Sequence, residues 1–75
     1  MRPLTELSPG ESASIARLEG PADVRQRLLE MGVLRGQRIE VIRFAPMGDP
    51  IEVQVRGYRL SLRREDAANI IVHSG

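Results

Sequence analysis

One histidine, ten carboxylates and eleven arginines supply the charged chemistry of this 75-residue chain, which has no cysteine and no lysine. His73 follows the apolar run Ile70-Ile71-Val72 and has no base or ligand near it in sequence that would give it a chemical role. The carboxylates are dispersed, with Glu30, Glu40, Asp49 and Glu52 in different segments. No Asp-x-Asp pair or Glu-x-x-His motif is present to build a two-carboxylate or metal site. Adjacent Glu65-Asp66 reads as a solvated turn before a last strand. The serines lack a neighbouring histidine base, and the glycines occur singly, unlike a phosphate-cradling loop ahead of a helix. Without cysteine there are no disulfides, thiolate zinc sites or cysteine nucleophiles. The expectation is a protein that is not an enzyme, holds no cofactor and has no designed metal site. Its work is then binding.

Composition narrows the kind of binding. One Phe and one Tyr cannot line a groove for Pro-rich ligands or stack the bases of a single strand. A net charge of +1 gives no global field to attract polyanions, so nucleic acid is not an expected partner. No apolar run approaches the roughly 20 residues needed to span a bilayer. The opening Met1-Arg2-Pro3-Leu4-Thr5-Glu6 has no apolar stretch of a secretory signal. A cysteine-free chain fits a reducing compartment, and a cytoplasmic location is expected.

The elements that must position any binding residues follow from periodicity. The whole chain, 1–75, reads as a single domain with one modest core. Residues 13–18 form a first strand with Ile15 inward, and Gly20-Pro21 breaks it. A helix is predicted over 23–31, capped by Asp23 with Gln26 three positions on. Val24, Leu28 and Met31 share one face, and Gly32 ends the helix. From residue 37 the period becomes two. Ile39, Val41 and Phe44 lie in one run, Ile51, Val53 and Val55 in the next, and Tyr58, Leu60 and Leu62 in a third. Residues 64–68 make one helical turn before a final strand with Ile70 and Val72. Five short strands and one helix point to a mainly β domain, a small barrel closing its own edges. SH3-like and OB-like topologies both accommodate this pattern.

Three stretches then match a known pattern. Arg27-Leu28-Leu29-Glu30-Met31-Gly32-Val33 resembles the Arg-Leu-x-x-Met-Gly-apolar signature of the FeoA family. Ala45-Pro46-Met47-Gly48-Asp49-Pro50 is similar to that family's Ala-Pro-x-Gly-Asp-Pro hairpin. Leu60-Ser61-Leu62-Arg63-Arg64-Glu65-Asp66-Ala67 resembles its apolar-x-Leu-Arg-x-x-Glu/Asp-Ala stretch. The three occur in order, and the similarity runs from about Leu4 to Val72. Where the family often has Pro-Gly after the helix, this chain has Arg35-Gly36, which keeps the flexible turn position. The resemblance implies a five-stranded SH3-like barrel with one short α-helix between the first and second strands. It also implies a cytoplasmic accessory role in ferrous iron transport, through protein–protein contact with the GTPase-containing transporter FeoB. Membrane contact would then come only through the transporter, and the oligomeric state is left open. The alternative is a transition-metal-binding or metal-linked regulatory domain, like the C-terminal domain of metal-dependent repressors.

Candidate contact residues are those the core does not claim. Leu29 lies roughly 100–140° from the Val24/Leu28/Met31 stripe on a helix, with Arg25 one turn before it. Met47 occupies the tip of a loop bounded by Pro46 and Pro50, where a flexible thioether suits adaptable contact. Arg25, Leu29 and Met47 are the expected partner-binding residues. Arg25, Arg27, Arg63 and Arg64 are also chemically able to act as an arginine finger on a partner GTPase.

Overall fold

The alternation from residue 37 onward becomes an antiparallel meander in the computed structural model, which describes residues 1–73. Its strands are β3 (Arg38–Phe44), β4 (Ile51–Val55) and β5 (Tyr58–Leu62). Register places Val41 opposite Val53 and Val53 opposite Leu60, and likewise Phe44, Ile51 and Leu62 in one row. Each row stacks apolar side chains on the core face, the pairing that stabilises a half-wet sheet. Val41, Ile51, Val53 and Leu62 are buried, while Leu60 and Phe44 are half-buried at the margin.

An earlier strand, β2 (Ser12–Leu18), serves two neighbours. Ser12 to Ser14 pair with β3, and Ile15 to Leu18 pair with β6 (Ile70–Val72). The register shifts between Ile15 and Arg17, and again between Val41 and Arg43 on β3. Such bulges bend a sheet and deepen its twist, which lets the two halves wrap one core. A two-residue strand, β1 (Arg2–Pro3), adds to β6 before a 3₁₀ turn at Leu4–Glu6. The order is β1-β6-β2-β3-β4-β5.

Two expectations are corrected here. Among the described residues there are six strands, not five, because Arg2–Pro3 pairs with β6, and two residues are too few to show a period. The sheet is also not a closed barrel: no ladder among the described residues joins its end strands β1 and β5. The helix consequently falls between β2 and β3 in the observed count.

That helix, α1, spans Ala22–Glu30. Pro21 precedes it as the cap position, and Asp23 sits in the first turn without capping through its side chain. Gln26 donates to Glu30 one turn on rather than back to the N-terminus. The helix begins a residue earlier than predicted because Gly20, at φ +93°, turns the chain and proline's fixed φ suits the helix entrance. Leu28 is fully buried, while Val24 and Met31 pack half-buried against the same core.

The C-terminal end closes as a Schellman motif. The Val33 N–H donates to the Leu28 carbonyl and the Gly32 N–H to the Leu29 carbonyl, both at 3.0 Å. Val33 and Leu28 are both fully buried in the core. Gly32 has φ +89°, and a Cβ there would overlap the Tyr58 hydroxyl, which donates to the Met31 carbonyl at 2.8 Å. Glycine is therefore required twice over, by conformation and by space.

Gly32→Ala is expected to destabilise by about 1–3 kcal/mol, and Tyr58→Phe by about 0.5–1.5 kcal/mol for the lost hydrogen bond. Because removing the hydroxyl also relieves the overlap, the double variant should lose less than the sum. Urea unfolding of all three variants measures that coupling. A second prediction concerns the loop before β2. The Glu11 carboxylate accepts the Ser8 N–H at 2.6 Å and faces Arg2 at 3.4 Å. The Ser8 amide, then Arg2, hold its carboxyl below the ordinary glutamate range. A depressed folded pKa means this contribution is present above the unfolded value and fades as pH falls through the folded one. Glu11→Gln should flatten that acid limb of stability against pH, measured by denaturant midpoints across the carboxylate range.

Candidate functional site

The helix α1 presents three kinds of side chain. Its stripe enters the core, Arg27 reaches across the fold, and Leu29 faces outward. The Arg27 guanidinium donates to Asp66 Oδ1 at 3.0 Å, across 39 residues of sequence. Asp66 belongs to α2 (Arg64–Ala67) and is buried. The solvated turn expected at Glu65-Asp66 is thus half right: Glu65 is exposed, but Asp66 points inward and fastens α2 to α1. A buried carboxylate is stable only with a partner, and Arg27 is that partner.

The loop from Ala45 to Pro50 is tied to α2 as well. Asp49 Oδ1 accepts the Arg64 N–H at 3.1 Å, and the Arg64 guanidinium donates to the Gly48 carbonyl at 3.3 Å. The same guanidinium stacks over the Phe44 ring, 5.8 Å from its centroid. The Ala45 carbonyl accepts the Gly48 N–H at 2.7 Å, closing a tight turn whose tip is Met47. Met47 is 92% exposed. The loop's frame is fixed while its tip side chain is free.

Leu29 is 44% exposed, in keeping with its predicted position off the helix stripe. Arg25 is exposed but engaged: its guanidinium donates to the Gly20 carbonyl at the entrance to the helix. Among the described residues no hydrogen bond or ion pair connects Arg25, Leu29 and Met47 with one another. Arg25 faces back along the chain toward Gly20, whereas Met47 stands on the loop held by α2.

Besides Met1 at the N-terminus, two further exposed apolar groups do not follow from periodicity. Leu34, in the loop after α1, is as open as Leu29. Tyr58 was expected to face inward with Leu60 and Leu62, yet much of its ring is exposed while its hydroxyl latches the helix end. The signal available for Tyr58 was its place at the start of a terminal strand beside Gly57, where alternation no longer guarantees burial.

A cleft of about 320 Å³ opens between α1 and the β5–α2 corner, lined by Arg27, Met31, Ser61, Leu62, Arg63 and Asp66. Its lining mixes apolar Met31 and Leu62 with the Arg27 and Arg63 guanidinium groups, Ser61 and the Asp66 carboxylate. A wider hollow of mixed lining lies elsewhere, among Ser12, Gln37, Arg38, Glu40, Val55 and Arg56. Among the described residues no three His, Cys, Asp or Glu side chains gather as a metal site would need. His73 is exposed, and its backbone N–H donates to the Ser14 carbonyl. No helix among them is long and apolar enough to cross a membrane.

Comparison with known proteins adds identity to this geometry. The chain is 48% identical over 69 residues to an Fe(2+) transport protein A/Fe(2+) transporter FeoB fusion protein of Porphyromonas gingivalis. The match takes in 92% of this chain but only 8% of the fusion. A FeoA-like protein from Clostridium acetobutylicum superposes with a TM-score of 0.90 at 36% identity, covering 96% of this chain and 84% of the other. FeoA of Stenotrophomonas maltophilia, solved with zinc and described as a procaryotic SH3 domain protein, gives 0.82 at 27% identity. The coverage there is 97% of this chain and 91% of the other. The SH3-like architecture therefore stands, with an open sheet. A manganese-dependent transcriptional repressor superposes at 0.88 with 20% identity, covering 97% of this chain and 41% of the repressor. At that identity the likeness speaks for the fold alone. A family model described as FeoA domain matches residues 2–74, and with the motifs on α1, the Met47 loop and α2 in their structural places, the chain belongs to the FeoA domain family.

Proposed function

We propose that this chain is a non-enzymatic, cytoplasmic accessory of ferrous iron transport that works by touching an FeoB-type membrane transporter. The observation that carries the reading is the fusion relative, whose name joins an iron transport protein A to the transporter FeoB in one polypeptide. Tethering two modules makes sense for partners that meet, since it replaces a bimolecular encounter by an intramolecular one. The Stenotrophomonas protein has itself been put forward as a ferrous iron transport activating factor. A metal-linked regulatory role has only a fold likeness behind it and is not advanced.

The proposed contact surface comprises Leu29 on α1 and Met47 at its loop tip, with Arg25 beside the helix entrance. Exposed Leu and Met side chains make few internal contacts, so their burial is available to a partner. Arg25 contributes less freely, because it already holds the Gly20 carbonyl. The membrane is reached only through the transporter.

The test pairs binding with stability. Leu29→Glu and Met47→Glu are each expected to weaken binding to the detergent-solubilised transporter by about tenfold, the scale of a lost interface anchor. Melting temperatures should stay near that of the parent, as for most exposed substitutions. If both variants bind as the parent does, this surface is not the contact. If the parent itself does not bind, contact with the transporter is not the mechanism.

A further inference from the structure

The sheet ends on β5, whose outer side pairs with nothing among the described residues. Which backbone groups face outward follows from the hairpin before it. The Pro50 carbonyl accepts the Ala45 N–H at 3.0 Å on the β3 side. In antiparallel ladders successive residues bond to opposite neighbours. Glu52 and Gln54 therefore bond toward β3, and Ile51, Val53 and Val55 toward β5. The residues opposite those three are Leu62, Leu60 and Tyr58. The N–H and C=O groups of Arg59 and Ser61 consequently point away from the sheet. No turn or loop bond among the described residues takes them up. Such a row is a template for another strand.

The space beside this edge has a shape. Ser61 and Arg63 line the cleft whose far wall is Arg27 of α1 and Met31 just after it. An added strand lies about 4.8 Å from its neighbour, so its stretch beside Ser61 and Arg63 borders that cleft. Charge then selects the occupant. Residues 56–64 carry four arginines (Arg56, Arg59, Arg63 and Arg64) and no acid, and the one carboxylate lining the cleft, Asp66, is already paired with Arg27. The Arg63 side chain is 77% exposed, and its nearest carboxylate, Glu65, stands 3.8 Å away. Two copies of such an edge repel each other, whereas an acidic strand is drawn in.

We infer that the free edge of β5 accepts an extended acidic segment of a partner protein by strand addition. Arg59 and Ser61 supply the new ladder, and Arg63 engages a carboxylate of the incoming strand. This goes beyond the transporter reading: it fixes a mode of recognition and a partner chemistry, and it stands or falls without that transporter.

The test uses the full chain, ¹⁵N-labelled, titrated with a terminally capped peptide of alternating valine and glutamate and separately with its valine–lysine counterpart. Only the glutamate peptide should give saturable shifts, centred on the amides of Arg59, Ser61 and Arg63. It should also slow hydrogen exchange at Arg59 and Ser61, and added salt should weaken the effect. Ser61→Pro deletes one outward N–H and leaves the β4 ladder intact, so affinity should fall by about tenfold or more. Should that variant unfold, Arg63→Glu at its exposed position is expected to give the same loss. Shifts mapping to another face, equal response to both peptides, no saturable response, or a β5-to-β5 dimer in solution would each overturn the proposal.

Discussion

A helix of nine residues does not persist in water by itself, so the position of α1 depends on how its C-terminal end is fastened. Three contacts do this. Leu28 and Val33 enter the core together around the Schellman closure. Tyr58 holds the Met31 carbonyl across the left-handed Gly32. Arg27 holds Asp66, which is buried and has no other charge partner among the described residues. The fastenings come from different elements and meet within one turn of helix. Losing any one leaves either a vacancy in the core or an unpaired polar group, and each is costly.

These contacts also shape the surface. Tyr58 begins β5 and Asp66 lies in the helix that follows it, so the helix is anchored to both ends of the terminal strand. Arg27 and Met31 then stand opposite Ser61 and Arg63 without covering the strand's outer edge, and the cleft is the gap that remains. A closed barrel would have removed this edge altogether. Here the sheet stays open and its end strand is guarded by arginines, the kind of charge natural edges use against self-pairing. The same charges define which foreign strand is admissible.

Legibility of the fold in the sequence varies by element. The strands from residue 38 onward can be read directly, because one face is buried and one wet, as Ile51, Val53 and Val55 show against Glu52 and Gln54. The helix is legible from Val24, Leu28 and Met31, and its end from Gly32. β1 is not, since two residues carry no period, and the openness of the sheet follows from long-range pairings that no local pattern encodes. The candidate site divides in the same way. Exposure of Leu29 follows from helical geometry and that of Met47 from a turn bounded by prolines. The inward turn of Asp66 and the latch by Tyr58 depend on partners 39 and 27 residues away, beyond the reach of any window.

The residue types of the three motifs have a structural cause. Arg27, Met31 and Gly32 of the first, Gly48 and Asp49 of the second, and Asp66 and Ala67 of the third all hold elements together. They specify the fold, and matching them says little about where a partner sits. The residues free to serve a partner stand between them. Leu29 lies within the first motif, Met47 within the second and Arg63 within the third, and of these only Arg63 has even a distant internal charge partner. Each motif thus carries both a fastening and an exposed group, so the fold holds the proposed contact residues on rigid frames. Such an arrangement suits the proposed role in binding, since preorganised side chains lose less freedom on association.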